Sequence, residues 1–159
     1  MAEVKTNAVR IVEKCGVNYE LKTNPCHEPL DAVTVAGKLG ADPDTVFTTL
    51  VTQGRSGAYY VFVLPGTGEL DLKKAAASVG EKSVEMIPVK DITKVTGYVR
   101  GGCSPVGMKK AYVTRIDASA ADLEAVYVSA GRLGQQMRLN PRELADIVGA
   151  AFAPLTMDH

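Results

Sequence analysis

Between Ala58 and Leu64 the chain reads Ala-Tyr-Tyr-Val-Phe-Val-Leu, with hardly a polar interruption. A strand wet on one side alternates, so a short continuous run predicts a strand covered on both faces, and Tyr59, Tyr60 and Phe62 suit a pleated surface. A second β-type segment, Val46 to Thr52, precedes it, and Gln53-Gly54-Arg55-Ser56-Gly57 reads as the hairpin loop between them. A sheet buried on two sides needs other layers to cover it, and the rest of the chain must supply them.

Helices are available. Val4, Ala8, Ile11, Val12 and Cys15 recur at helical spacing before Gly16, which places Cys15 on the core face. Asp31 caps a short helix carrying Val35, Ala36 and Leu39 and ending at Gly40. Leu72, Ala75, Ala76 and Val79 form a helix face that stops at Gly80, with Glu69 and Asp71 at its start as capping acids. Asn140-Pro141-Arg142-Glu143 is a capping box with proline in the first turn, and Leu144, Ile147, Val148, Ala151 and Phe152 continue as one apolar stripe. Further strands are expected at Val17 to Lys22, Ser83 to Ile87, Ala111 to Ile116, Ala125 to Ser129 and Gln136 to Leu139, with helical turns over Pro88 to Val95 and Ala120 to Glu124. The hairpin breaks any regular strand–helix alternation. The fold class is therefore mixed α/β, one undivided domain over residues 1–159 without internal repeats.

The 18 Lys and Arg residues balance 18 Asp and Glu, which excludes a protein that coats nucleic acid indiscriminately, because that takes many cation–phosphate contacts. Three cysteines without a CxxC pair predict no disulfide framework and suit a reducing cytosol. A Cys26-His27 zinc site has the wrong spacing for a structural knuckle, so no metal is expected. No apolar run approaches membrane-spanning length and no secretory pattern opens the chain, so a soluble cytoplasmic protein with no membrane partner is expected.

The densest chemistry lies in Thr96-Gly97-Tyr98-Val99-Arg100-Gly101-Gly102-Cys103-Ser104-Pro105-Val106-Gly107-Met108-Lys109-Lys110. No regular element survives its glycines and prolines, and successive glycines let backbone N–H groups approach a carbonyl oxygen or an anion. Arg100, Lys109, Lys110 and Arg115 make residues 96–115 locally positive, a small phosphate footprint. The spacing fits neither a P-loop nor a dinucleotide fingerprint. The segment is either a tight surface turn or a ligand loop. Cys103 is either a thiol nucleophile or a small residue in a crowded turn. Thr48 and Thr49 sit mid-strand among apolar neighbours, so one of them faces inward with a hydroxyl that needs a partner.

These segments, together with Lys38-Leu39-Gly40, Leu70-Asp71-Leu72-Lys73-Lys74-Ala75, Ile116-Asp117 and Tyr127-Val128-Ser129, resemble the YbaK/EbsC family over nearly the whole chain. The resemblance implies a barrel-like mixed sheet surrounded by helices, and an aminoacyl-tRNA deacylase related to the editing domain of bacterial prolyl-tRNA synthetase. It implies clearance of a wrong amino acid, cysteine from proline tRNA in the best-known case, without a cofactor and with the substrate's own thiol attacking the ester. The expected partners are the 3′ end of an aminoacyl-tRNA and prolyl-tRNA synthetase. Carried onto this chain, it puts Gly101 and Gly102 at the carbonyl and Thr49, Tyr98, Cys103, Ser104 and Ser129 around the substrate. Two positions depart from the family pattern. Val46-Phe47-Thr48-Thr49-Leu50 has Thr48 where the family strand carries a lysine, and Gln136 stands where an acid is associated with cysteine substrates. Thr48 and Gln136 together make that pocket neutral, which implies either an altered amino-acid specificity or a member that only binds a tRNA end or a synthetase.

Overall fold

The structure, a computed structural model, describes residues 5–24, 26 and 30–157. Val4 and His27 lie outside the described residues.

The apolar run becomes strand β3 (Tyr59–Pro65), third in a five-stranded mixed sheet. β2 (Phe47–Gly54) pairs with it antiparallel through the expected hairpin, and β4 (Val84–Met86) extends the far side of β2 over Thr52 to Gly54 only. On the other flank β5 (Val113–Asp117) and β8 (Ala151–Ala153) run parallel to β3 and to each other. A second, antiparallel sheet has β7 (Gln135–Leu139) between β1 (Tyr19–Thr23) and β6 (Val126–Ser129). A single parallel bridge from Val46 to Tyr127 joins the sheets at one corner, giving the barrel-like form that the resemblance implied.

Both faces of β3 are covered because its side chains divide by parity. Val61 and Val63 enter the larger core with Phe47, Val51, Ile116, Met137 and Leu139, closed by α1 (Asn7–Lys14) and α5 (Pro141–Val148). Phe62 and Leu64 pack on the opposite face against Ala75 and Ala76 of α3 (Leu72–Val79) and against Leu155. Each fully buried side chain of this kind contributes about 1.5–3 kcal/mol. The capping residues act as their identities dictate: the Asp31 carboxylate accepts from Thr34 N–H at the start of α2 (Ala32–Leu39), Asp71 from Lys73 and Lys74, and Asn140 from Arg142 and Glu143.

Two expectations are corrected. α5 ends at Gly149, whose φ of 67° closes the helix, so Ala151 and Phe152 leave the helical stripe and form β8 beside β5. Cys15 is the C-cap of α1 and exposed, because the buried face of that helix consists of Ala8, Val9 and Val12 and ends before it. α4 (Ile92–Thr96) takes up the end of the segment expected to hold helical turns. Asp117 locks the C-terminal crossing: its buried carboxylate accepts from Leu155 N–H at 2.9 Å and from the Ser119 hydroxyl at 2.6 Å.

Candidate active site

The site forms where β2 lacks a neighbour. Hydrogen bonds along an antiparallel strand alternate in direction. The Val46 carbonyl accepts from Gly66 N–H at 2.9 Å and Gly54 N–H donates to the Ala58 carbonyl at 2.8 Å, so the even-numbered residues of β2 turn their backbone groups to β3. The odd-numbered residues turn theirs to the other edge. There the Val51 carbonyl accepts from Ile87 N–H at 3.2 Å, and Val46 bridges Tyr127 beyond the opposite end. On that edge, between these two attachments, no strand among the described residues pairs with Thr49, whose one strand partner is Val63 on the β3 side.

A cavity of about 470 Å³ opens on this gap. α2 and Val46 wall one side and Met86, Ile87 and Ile92 another, while Gly101, Cys103, Ser129 and Gln136 complete it. It wraps around the strand edge, so Thr48 and Thr49 both line it from opposite faces of β2. Thr49 shares the inward face with Phe47 and Val51, and its Oγ1 is buried with no hydrogen-bond partner among the described residues. This is the inward threonine that the sequence required. Ser129 and Gln136 stand opposite each other on β6 and β7, and Ser129 Oγ accepts from Gly131 N–H at 3.1 Å.

The 96–110 segment is a braced loop. Thr96 Oγ1 donates to the Ile92 carbonyl at 2.8 Å and accepts from Tyr98 N–H at 3.0 Å; Tyr98 OH donates to the Val106 carbonyl at 2.5 Å. The buried Ser104 hydroxyl accepts from Val106 N–H at 3.2 Å. Tyr98 and Ser104 thus hold the loop's shape, and neither lines the cavity. Gly102 is also off the cavity: its N–H donates to the Val99 carbonyl at 3.0 Å, and it packs on the backbone of Arg132 and Leu133. What the loop presents to the cavity is Gly101, held at a φ of 82° that glycine alone adopts easily, and Cys103.

Burial pushes the Cys103 thiol up to about 11, against a smaller opposing effect of its hydrogen bond with Thr96, and burial with Cys103 beside it pushes the Tyr98 phenol up to about 12. Cys103 is therefore a protonated thiol at neutral pH, which disfavours the nucleophile reading because only the thiolate attacks. Asp31, the acid on the cavity wall, spends its carboxylate on the α2 N-terminus, and those hydrogen bonds hold its pKa below the usual value.

The basic footprint divides in space. Arg100 lines the cavity, and Lys109 crosses the same loop, its Nζ donating to the Lys94 carbonyl at 3.2 Å. Arg115 is turned away, its Nε donating to the Ser78 carbonyl at 3.1 Å, and Lys110 lines a separate groove beside Ile11 and Ile147. Sequence reasoning missed the apolar wall of Met86, Ile87 and Ile92, which carries no pattern beyond ordinary core residues.

Residues 27–147 match the aminoacyl-tRNA editing domain. The chain is 44% identical over 153 residues to an Enterococcus faecalis protein named "Putative Cys-tRNA(Pro)/Cys-tRNA(Cys) deacylase EbsC", covering 96% of this chain and 93% of that one. A shorter likeness, 32% over 74 residues, covers 46% of this chain and 13% of the proline–tRNA ligase of Thermosipho melanesiensis. The solved structure described as "a putative trans-editing enzyme for prolyl tRNA synthetase" superposes with a TM-score of 0.84 at 25% identity, covering 98% of this chain and all of that one. The chain belongs to the aminoacyl-tRNA editing domain family.

Proposed function

We propose that the cavity at the open edge of β2 receives the aminoacyl group at the 3′ end of a mischarged tRNA, where this enzyme hydrolyses the ester. The observation that carries the reading is the meeting there of a buried hydroxyl without a partner among the described residues, Thr49 Oγ1, with the left-handed backbone at Gly101 on an otherwise largely apolar wall. Water, or a nucleophile on the substrate's own side chain, attacks the carbonyl carbon; the bond to the ribose oxygen breaks and that oxygen takes a proton. Among the described lining residues no side chain is poised as a strong base, so the protein contributes orientation, desolvation and hydrogen bonds to the developing charge.

Thr48, Gln136, Ser129 and the protonated Cys103 are neutral polar groups and Asp31 is committed to the α2 cap, which leaves Arg100 as the free charge among the described residues of the wall and supports removal of an amino acid whose side chain is not cationic, an uncharged one fitting best. Cysteine fits that description, and the relative named for cysteinyl-tRNA supports it. The likeness to a proline–tRNA ligase supports prolyl-tRNA synthetase as the source of the mischarged tRNA. Incubation with a panel of tRNAs charged with cysteine, alanine, serine and proline tests the reading: release of one or more uncharged amino acids is expected. Failure to deacylate any of them overturns it and leaves the binding-only alternative, which the family comparisons do not favour.

A further inference from the structure

We infer that the open edge of β2 recognises the free α-amino group and the carbonyl of the aminoacyl ester as a strand residue, through the backbone of Thr49. This rests on the deacylase reading and adds what the site demands of every substrate, whatever its side chain.

The parity of β2 carries it. Thr49 pairs in register with Val63 but, being odd-numbered, turns its N–H and carbonyl away from β3. They face the gap between the Val46–Tyr127 bridge and the Ile87–Val51 hydrogen bond, against the cavity. A backbone donor and acceptor at a buried edge want partners, and the way to satisfy both is one residue of an added antiparallel strand. An aminoacyl ester is one such residue. Its ammonium donates to the Thr49 carbonyl while its carbonyl oxygen accepts from Thr49 N–H, the reciprocal pair of an antiparallel ladder. The hydroxyl of the same residue, buried and without a partner among the described residues, is a second and independent sign of a polar occupant. Polarisation of the ester carbonyl by Thr49 N–H also places the donor where charge develops during attack. An acyl group lacking the amine cannot make the charge-assisted half of this pair.

The test compares three substrates on one tRNA: the aminoacyl ester, its N-acetyl derivative, and the α-hydroxyacyl ester that nitrous acid makes from it. Each enzymatic rate is divided by that ester's uncatalysed hydrolysis rate, since loss of the ammonium slows both. Loss of one hydrogen bond to a charged group lowers normalised kcat/KM about 10- to 100-fold for the α-hydroxy ester. Thr49→Val, which removes only the hydroxyl, keeps this preference; Thr49→Pro, which removes the edge N–H at a position where a sheet tolerates proline, abolishes catalysis while thermal unfolding stays cooperative. Equal normalised rates for the amine and hydroxy esters overturn the inference even where deacylation is robust. If no aminoacyl-tRNA is cleaved, binding of a non-hydrolysable 3′-aminoacylamino-adenosine and its α-hydroxy counterpart decides it: tighter binding of the amine supports the edge contact, and equal affinities overturn it.

Discussion

Gly102→Ala separates packing from conformation in the loop that shapes the site. A Cβ at Gly102 would lie 3.1 Å from Leu133 N and 3.2 Å from the Cα and carbonyl carbon of Arg132, closer than ordinary van der Waals contact and against main chain. That main chain cannot retreat easily, because Gln135 N–H donates to the Arg132 carbonyl at 3.1 Å and Ala130 N–H to the Gln135 carbonyl at 3.0 Å. Gly102 is not at positive φ, so the substitution carries no conformational penalty and the cost is overpacking, about 1–3 kcal/mol. For a domain of this size that lowers Tm by roughly 2–12 °C. The strain is relieved by moving residues 101–103 off the 132–133 turn, which displaces Gly101 and Cys103 in the cavity wall. The contacts are relieved by a shift of a few tenths of an ångström, so deacylation kcat/KM should fall about three- to tenfold, where a full 1 Å misplacement costs about 100-fold. Gly16→Ala is the control: φ there is 73° and nothing lies within 4 Å of the added carbon, so it costs about 1 kcal/mol in stability and leaves activity unchanged. Urea unfolding and a single-turnover deacylation assay on both variants decide the matter. A Gly102→Ala protein with wild-type stability and wild-type kcat/KM refutes the packing argument.

Cys103→Ser should retain activity within about threefold, because a thiol held near 11 supplies no thiolate at neutral pH. The same raised value has a stability consequence: the buried neutral thiol supports folding fully below its ordinary value of 9.0, and that support is lost as pH rises through about 11, so wild-type Tm should fall more steeply than that of Cys103→Ala across this window. Thr48→Lys installs the ammonium that the family resemblance implies at this position of the cavity wall; deacylation of cysteinyl-tRNA should rise about tenfold, and a fall without loss of Tm refutes the assignment of that position to the pocket. Asp117→Ala leaves the buried Leu155 N–H without its acceptor and should cost about 1.5–3 kcal/mol in urea unfolding while sparing KM. Arg100 lines the cavity, and a single phosphate contact there predicts that tRNA affinity drops about threefold between 50 and 200 mM salt; a drop of a thousandfold would mean a far larger footprint.

The elements were legible where local signals agreed. Asp31 and Gly40 bracket α2, Asp71 and Gly80 bracket α3, and the covered strand at Tyr59 to Leu64 announces itself by lacking alternation. α5 shows the limit of such signals: its apolar spacing runs on through Phe152, and only the left-handed turn at Gly149 and the parallel pairing of β8 with β5 end it. In the loop, glycine spacing marks a site but cannot rank its glycines. Gly101 faces the cavity and Gly102 the 132–133 turn because of where a distant hairpin lies, and that contact has no local signature.

The adjacent threonines carry the same lesson to the chemistry. Alternation guarantees that Thr48 and Thr49 face opposite sides, yet which side is inward depends on the register of β2 against β3, and whether the outer edge is open depends on where β4 stops and where Tyr127 arrives. A β4 that ran on in register to Val89, three residues past Met86, would cover Thr49 and leave an ordinary sheet with a buried hydroxyl. Because β4 pairs only from Thr52 onward, the same residue exposes a hydroxyl, a donor and an acceptor to a single cavity. An edge of this kind is a hazard on an open surface, where it templates pairing with other chains. Here α2, the 97–103 loop and the wall at Ile87 enclose it, so what reaches it must be small and bring its own donor and acceptor. The enclosure therefore selects for an amino-acid residue on the end of a strand of RNA over a longer peptide, and a tRNA-borne aminoacyl group should bind in preference to a peptide of the same terminal sequence.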